Sequence, residues 1–367
     1  MVKRIIFIVT QDCQLRCRYC YLVGKNSKGV MSWDMAKSIA DFLLTLPVGE
    51  DSVLFDFIGG EPLLEIDIIS RICDYLVNEM NRINHPWVNK YSIRIVTNGL
   101  LYSSKKTQKF VRKFRNHLSI HFSLDGTKQK HDLNRTFPNG DGSYDKLKPN
   151  IELWLMQYKD CATSYMVISH DDLPYLSDSI LHLLQLGIKN INCNFTIEDV
   201  WKDGDAEILE DQLIKVADYL IENNLWQDTN ITLFKEQLGL PNPNDDICPC
   251  GNLMYVFDSS GNIYTCMRFA SYSQNKKEPR IIGNIKDGIN YNKLRPMYLF
   301  NKEACYSHEC LECEIESGCK WCPAESYNES STGTMFIRTM NICNVYKANI
   351  RAKNYYWNRI KLIESKE

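Results

Sequence analysis

The sequence predicts an α/β fold built on a parallel sheet over its first 224 residues or so, and three observations predict it. Short β-branched or apolar runs recur along the chain, apolar stripes at helical spacing fill the gaps, and polar, glycine-bearing strings follow the runs. A parallel neighbour needs a helix-length return, so alternating strand and helix signals imply right-handed crossovers. Six such units end near Asn224. A closed barrel has eight and typically takes about 250 residues, so an open, partial barrel and a doubly wound sheet both remain. In either, ligands gather at the C-terminal ends of the strands.

The strand signals are RIIFIVT from Arg4, VLFDFIG from Val53, YSIRIVT from Tyr91, LSIHFSLD from Leu118, SYMVIS from Ser164 and IKNINCNF from Ile188. Ser32 is an N-cap for a helix whose stripe is Ala36, Ile39, Ala40, Leu43 and Leu44. Similar stripes run through Ile68, Ile69, Ile72 and Leu76, and through Leu176, Ile180, Leu183 and Leu184. The polar strings fall where a site belongs: QDCQLRC after the first run, GGEP after the second, TNG after the third and SLDG after the fourth. From Leu240 to Asp246 Pro, Asn and Asp punctuate the chain and the long stripes stop. A domain boundary is expected there, giving domains 1–240 and 241–367. Val345 to Ile363 reads as a packed terminal helix.

A length of 367 residues fits about two domains at roughly 150 residues each. Lys and Arg number 43 against 45 Asp and Glu, so no global basic field recruits nucleic acid or an acidic membrane. The N-terminal apolar run is too short for a signal-peptide core, and no stretch approaches the 18 or so apolar residues of a membrane span. The expectation is a soluble, cytoplasmic protein with reduced thiols. Its 15 cysteines are too sparse for a disulfide scaffold and odd in number, and clustered cysteines in that compartment more often hold metal. Cys73, Cys161 and Cys193 lie in apolar surroundings and are expected to be core residues. The others form two clusters, Cys13, Cys17 and Cys20, then nine between Cys248 and Cys343.

Three thiolates spaced Cys-x3-Cys-x2-Cys can converge on one soft centre. A structural zinc site wants four protein ligands, whereas an iron-sulfur cube held by three cysteines keeps one iron open. The spacing therefore favours a catalytic cluster. At this point CQLRCRYC resembles the radical S-adenosylmethionine (SAM) signature, with Tyr19 at its aromatic position. Gly59, Gly60, Glu61 and Pro62 resemble the family's GGEP stretch, which receives the SAM amino group. Thr97, Asn98 and Gly99 resemble its TNG turn. Ser123 and Asp125, followed by His131, Asp132 and Arg135, resemble the fourth-strand block of the peptide-modifying branch, with Ser123 and Arg135 reaching the SAM carboxylate. An Arg fork suits a carboxylate geometrically. Any one of these strings is explicable as an ordinary turn, but not all four in order. The resemblance implies a partial (β/α)6 TIM-like barrel in which an open iron chelates SAM and releases a 5'-deoxyadenosyl radical that abstracts a substrate hydrogen atom.

The later cysteines resemble the SPASM domain, which holds two auxiliary four-iron, four-sulfur clusters and is followed here by the C-terminal helix. The family's interleaved pattern assigns Cys250, Cys266 and Cys322 to the first and Cys310, Cys313, Cys319 and Cys343 to the second, giving three 4Fe-4S clusters in all. Only Lys320 and Trp321 separate Cys319 from Cys322, one residue fewer than the family's usual spacing. Cys248 is the candidate fourth ligand of the first auxiliary cluster, an open site for a substrate thiolate being the alternative. Cys305 fits no slot. A zinc ribbon needs about 15–20 residues between its Cys pairs, and only five separate Cys313 from Cys319.

Enzymes of this architecture mostly modify peptides. Sulfatase maturases carry an Asp directly after the second SPASM cysteine, where it acts as base, but Met267 and Arg268 follow Cys266 here. The expectation is a ribosomal-peptide maturase that oxidatively crosslinks a precursor peptide through a thioether or related bond. Formylglycine formation on a sulfatase and peptide epimerisation are the alternatives, and an iron-sulfur redox relay without radical chemistry is the reading from a different class. Two auxiliary clusters suit an oxidation because an electron must leave after bond formation. A flavodoxin or ferredoxin is the expected reductant. The first strand begins by Arg4, so leader recognition is expected at the barrel mouth, the SPASM face or a separate leader-binding protein. No residue stands out as the catalytic base.

Overall fold

The computed structural model describes residues 2–23, 25, 29–48, 51–198, 200–235, 248, 250–251, 253–273, 277–299, 307–316, 319, 322–329 and 333–365. The expected domain boundary after residue 240, and Cys305, lie outside them. In chain order the elements are β1 (Val2–Ile8), α1 (Trp33–Thr45), β2 (Ser52–Ile58), α2 (Ile66–Arg82), β3 (Tyr91–Thr97), α3 (Lys105–Phe114) and β4 (Leu118–Ser123). Then come α4 (Lys128–Asn134), α5 (Tyr144–Tyr158), β5 (Thr163–Ile168), α6 (Leu176–Gln185), β6 (Asn190–Phe195), α7 (Asp205–Glu222) and β7 (Asn230–Ile231). The cysteine-rich part contributes β8 (Met254–Phe257), β9 (Asn262–Tyr264), β10 (Gly283–Asn284), β11 (Gly288–Ile289), α8 (Tyr291–Tyr298), α9 (His308–Leu311), α10 (Pro323–Glu329) and α11 (Cys343–Glu364). All six expected strands form, each followed by helix, and two helices rather than one follow β4.

The chain divides into two compact units. The first is Met1–Arg16, Cys20–His121 and Pro249–Phe300. Its strand order is β11-β10-β9-β8-β1-β2-β3. Ile5, Ile6, Phe7 and Ile8 are all buried because β1 has parallel neighbours on both sides, Ile5 lying opposite Phe55 of β2 and Tyr255 of β8. A strand enclosed in this way reads as a continuous apolar run and not as an alternation. β8, whose four residues are also buried, comes from the cysteine-rich part of the sequence and turns back into the antiparallel β9. On α1 the expected N-cap forms, Ser32 Oγ accepting from the Met35 amide at 3.2 Å. Ala36, Ile39, Ala40 and Leu43 are buried, and Leu44 and Ile68, at the edges of their stripes, are half-buried.

The second unit is Cys17–Tyr19, Phe122–Cys248 and Asn301–Glu367. There β5 pairs with β6 and β6 with β7, all parallel, and Phe122 stacks on Trp154 with ring centroids 4.4 Å apart. β4 straddles the division between the units. The terminal helix forms as α11 and packs on α7, burying Val345, Ala348, Ala352, Tyr356 and Ile360. Its polar edge is anchored by Arg351 to Glu210 at 2.6 Å and Tyr355 to Asp218 at 2.7 Å. Of the three cysteines expected in the core, Cys73 is buried and Cys193 half-buried, but Cys161 is exposed. It sits just beyond the end of α5 with its side chain outside the apolar layer. Among the described residues no helix is long and apolar enough to cross a membrane.

Candidate functional site

In the first unit, three strings that lie far apart in sequence meet at the C-terminal ends of β1, β2 and β3. The Gly60 amide donates to the Thr10 carbonyl at 3.0 Å and the Glu61 amide to the Asp12 carbonyl at 2.7 Å, so the GGEP stretch lies directly on the loop that leads into Cys13. This contact accounts for both glycines. A Cβ on Gly59, whose φ is +145°, would stand 2.6 Å from the Thr10 oxygen, and one on Gly60 would stand 2.0 Å from the Asp12 oxygen. The backbone they approach is the chain's own cysteine loop.

Glu61 is almost fully buried and is bound by three donors: Thr97 Oγ1 at 2.6 Å, the Asn98 amide at 2.7 Å and the Leu63 amide at 2.9 Å. Burial pushes its carboxyl up to about 7 against the pull of those hydrogen bonds. A carboxylate has about four acceptor sites, so the three donors leave it room for another. Asn98 Nδ2 donates to Gln14 Oε1 at 3.1 Å and stands 3.8 Å from Cys13 Sγ, which puts the TNG turn against the first cysteine. Pro62 opens the short helix that Glu61 caps. Cys13, Cys17 and Cys20 are all half-buried.

In the second unit Asp125 is the hub. It is fully buried and receives a bidentate fork from Arg135, Nε at 2.8 Å and Nη2 at 3.1 Å, together with the Val167 amide at 3.0 Å and the Tyr19 hydroxyl. Burial alone would raise its pKa, but Arg135, Lys130 and His131 outweigh that and hold it at about 2. The Arg135 guanidinium also lies over the Tyr19 ring, 5.3 Å from its centroid. The expected set Tyr19, Asp125 and Arg135 is therefore brought together, with the Arg135 fork on Asp125. Ser123 stands half-buried at the end of β4. One residue that sequence reasoning passed over supports this hub. Lys130 is completely buried, 2.6 Å from the Val167 carbonyl and 3.3 Å from Asp172, and only its place three residues beyond the Thr127 cap could have marked it.

Among the later cysteines, Cys250 and Cys266 adjoin in the first unit. A hydrogen bond from the Cys250 thiol lowers Cys266 to about 7. Cys266 lies two residues beyond β9, and Tyr21 Oη lies 3.0 Å from Sδ of the next residue, Met267. Cys248 and Cys322 are half-buried and belong to the second unit. Cys310, Cys313, Cys319 and Cys343 line one cleft there, with about 450 Å³ of empty space partly open to solvent. Arg338, Lys347, Glu309 and Glu316 share its wall. Among the described residues no three of His, Cys, Asp and Glu, the N-terminal cysteines included, converge on a point suited to a single metal ion. Cys343 is the first residue of α11, and burial pushes its thiol up against the pull of Arg338.

Residues 7–186 match the Radical SAM superfamily. This chain carries a radical SAM domain. The domain's family implies SAM and a 4Fe-4S cluster as cofactors, and makes the chain a radical SAM enzyme. An uncharacterised protein of Methanocaldococcus jannaschii is 28% identical over 84% of this chain and 96% of its own length. The radical SAM cyclopropyl synthase TigE of Paramaledivibacter caminithermalis is 21% identical over 95% of this chain and 73% of its own. Two solved structures share the fold beyond the radical SAM domain. One is anSMEcpe, an anaerobic sulfatase-maturating enzyme, with bound AdoMet and the Cp18Cys peptide, at a TM-score of 0.74 and 19% identity over 99% of this chain and 100% of that one. The other is SuiB of Streptococcus suis bound to its precursor peptide SuiA, at 0.60 and 15% over 93% and 76%. The architecture is thus the partial radical SAM barrel with a cysteine-rich C-terminal part.

Proposed function

We propose that this chain is a cytoplasmic peptide maturase that installs an oxidative crosslink, a thioether or related bond, in a ribosomally made precursor peptide. The observation that carries the reading is Met267, directly after Cys266. The position that resembles the sulfatase maturases' base holds a thioether that cannot accept a proton at neutral pH, and Tyr21 packs against it. Relatives and structural neighbours point to peptide chemistry. TigE is a cyclopropyl synthase, and both SuiB and anSMEcpe hold peptides.

In this reading Cys13, Cys17 and Cys20 would hold the cluster, which when bound would supply the electron for reductive cleavage of SAM. Around it the chain's own side chains bind and orient. Glu61, with an acceptor site still available beyond its three donors, would accept a hydrogen bond from the SAM amino group. Asn98 fixes the turn against Cys13. Ser123 and Arg135 address the SAM carboxylate, Arg135 held rigid by Asp125 and Tyr19. Holding the radical's carbon beside one chosen substrate hydrogen is worth more than any proton transfer this site could add. Cys310, Cys313, Cys319 and Cys343 fit a second cluster by donor chemistry and by sharing one cleft. Cys248, Cys250, Cys266 and Cys322 are assigned to the other auxiliary cluster, and a flavodoxin or ferredoxin supplies electrons. Intact-mass measurement of a precursor encoded nearby and co-expressed with the enzyme tests the function. Loss of a pair of hydrogens per event, with no aldehyde trapped by a hydrazide, is the expected result. An unchanged mass with altered stereochemistry means epimerisation, and a formylglycine means sulfatase maturation; either would overturn the proposal.

A further inference from the structure

The cleft that gathers Cys310, Cys313, Cys319 and Cys343 also contains a cation whose position is chemically specific. Arg338 lies in the segment leading into α11, and its Nη2 donates to Cys319 Sγ. The thiols of Cys310 and Cys343 are close enough for their charge to act on the same guanidinium. Lys347, one turn into α11, and Glu309 and Glu316 complete the charged wall. The Arg338 bond to Cys319 is thus a direct link between a wall charge and a ligand atom.

We propose that Arg338 tunes the auxiliary cluster held by these four cysteines, raising its reduction potential through charge and an N–H···S hydrogen bond. The inference rests on the reading of that cleft as a cluster site. Four thiolates around a four-iron, four-sulfur core carry net negative charge, and reduction adds one more electron to it. A contacting cation therefore stabilises the reduced form more than the oxidised one. Hydrogen bonds to the sulfurs act in the same direction, and net charge and such bonds are the levers that set cluster potentials. An acceptor cluster made easier to reduce is suited to take up the electron that an oxidative crosslink releases. A purely structural Arg338, needed only to hold the Cys319 segment, would leave the potential alone once the cluster is in place.

The test uses the full chain with Cys13, Cys17 and Cys20 replaced by Ala, so that only auxiliary clusters remain, prepared anaerobically with Arg338 intact, Arg338→Gln or Arg338→Lys. Iron and sulfide are counted and each sample is titrated with EPR detection. The expected result is the same content of about eight irons in all three. In Arg338→Gln one midpoint becomes more negative, the reduced-to-oxidised ratio at the parental midpoint falling about tenfold, or about 59 mV for one electron. Arg338→Lys falls between, keeping the charge without the planar fork. The signal that moves is the one abolished by Cys310→Ala. Full iron with unmoved potentials overturns the inference, as does loss of the cluster in both variants, which would make Arg338 structural. A parent with only about four irons overturns instead the assignment of two auxiliary clusters.

Discussion

At the scale of single residues, the buried polar groups of the second unit set a measurable pH dependence. His131 is almost fully buried, its Nδ1 facing the Asp125 amide at 3.4 Å and its Nε2 facing Ser143 at 3.0 Å. Burial drives its pKa down from 6.5 to about 4, with Arg135 and Lys130 adding to the effect and Asp125 and Asp132 opposing it. The folded state therefore keeps His131 neutral where the unfolded chain would take a proton. Stability is full above about 6.5 and falls as pH drops from there towards about 4, with a slope approaching 1.4 kcal/mol per pH unit, about the value for one proton. Urea unfolding of anaerobic protein at several pH values between 5 and 7.5 should show this slope shrink in His131→Gln, whatever that change does to absolute stability. An identical slope in both proteins would show that His131 is not the group responsible.

The elements show what the sequence could and could not disclose. Strands and helices were legible because their periodicity is local: the stripe of α1 and its Ser32 cap stand within a dozen residues of each other. The pairing of β8 with β1 was not, since it joins positions some 250 residues apart and leaves only a short apolar run, MYVF, as its sign. For the site, the strings at the strand ends were legible, but the partner of Gly59 and Gly60 was not. Only the fold says that the backbone they approach is Thr10 to Asp12. Cys161 failed for a related reason, because apolar neighbours in sequence do not fix which way one side chain points. The terminal helix allows a direct test of element packing. Ile360 is completely buried within α11, whose first residue is the cleft cysteine Cys343. Ile360→Ala should cost about 2–5 kcal/mol through lost transfer energy and the cavity left behind. Because α11 presents Cys343, the same variant should lose iron from the second unit's cleft before it loses the rest. Thermal unfolding with iron analysis along the transition checks both, and uniform iron loss would separate the helix from the cleft.

For the molecule as a whole, the issue is whether the eleven cysteines assigned to clusters serve radical chemistry or only electron transport. The two functions make the same demand on the later cysteines and differ at the N-terminal three. A relay needs potentials and exposure, whereas a radical enzyme needs an open iron next to groups that grip SAM's amino acid portion. The bonds from Gly60 and Glu61 to the Thr10–Asp12 backbone, and the Asn98 contact to Cys13, hold such groups against the cysteine loop. A relay has no use for them. Anaerobic protein should therefore contain about 12 irons and, given SAM and dithionite without any peptide, should form 5'-deoxyadenosine. Replacing Cys13, Cys17 and Cys20 by Ala should remove about four irons and abolish deoxyadenosine while the remaining clusters stay reducible. Full iron content with no deoxyadenosine from the unaltered protein would decide for the relay. Its persistence in the triple variant would mean that SAM is cleaved elsewhere in the chain.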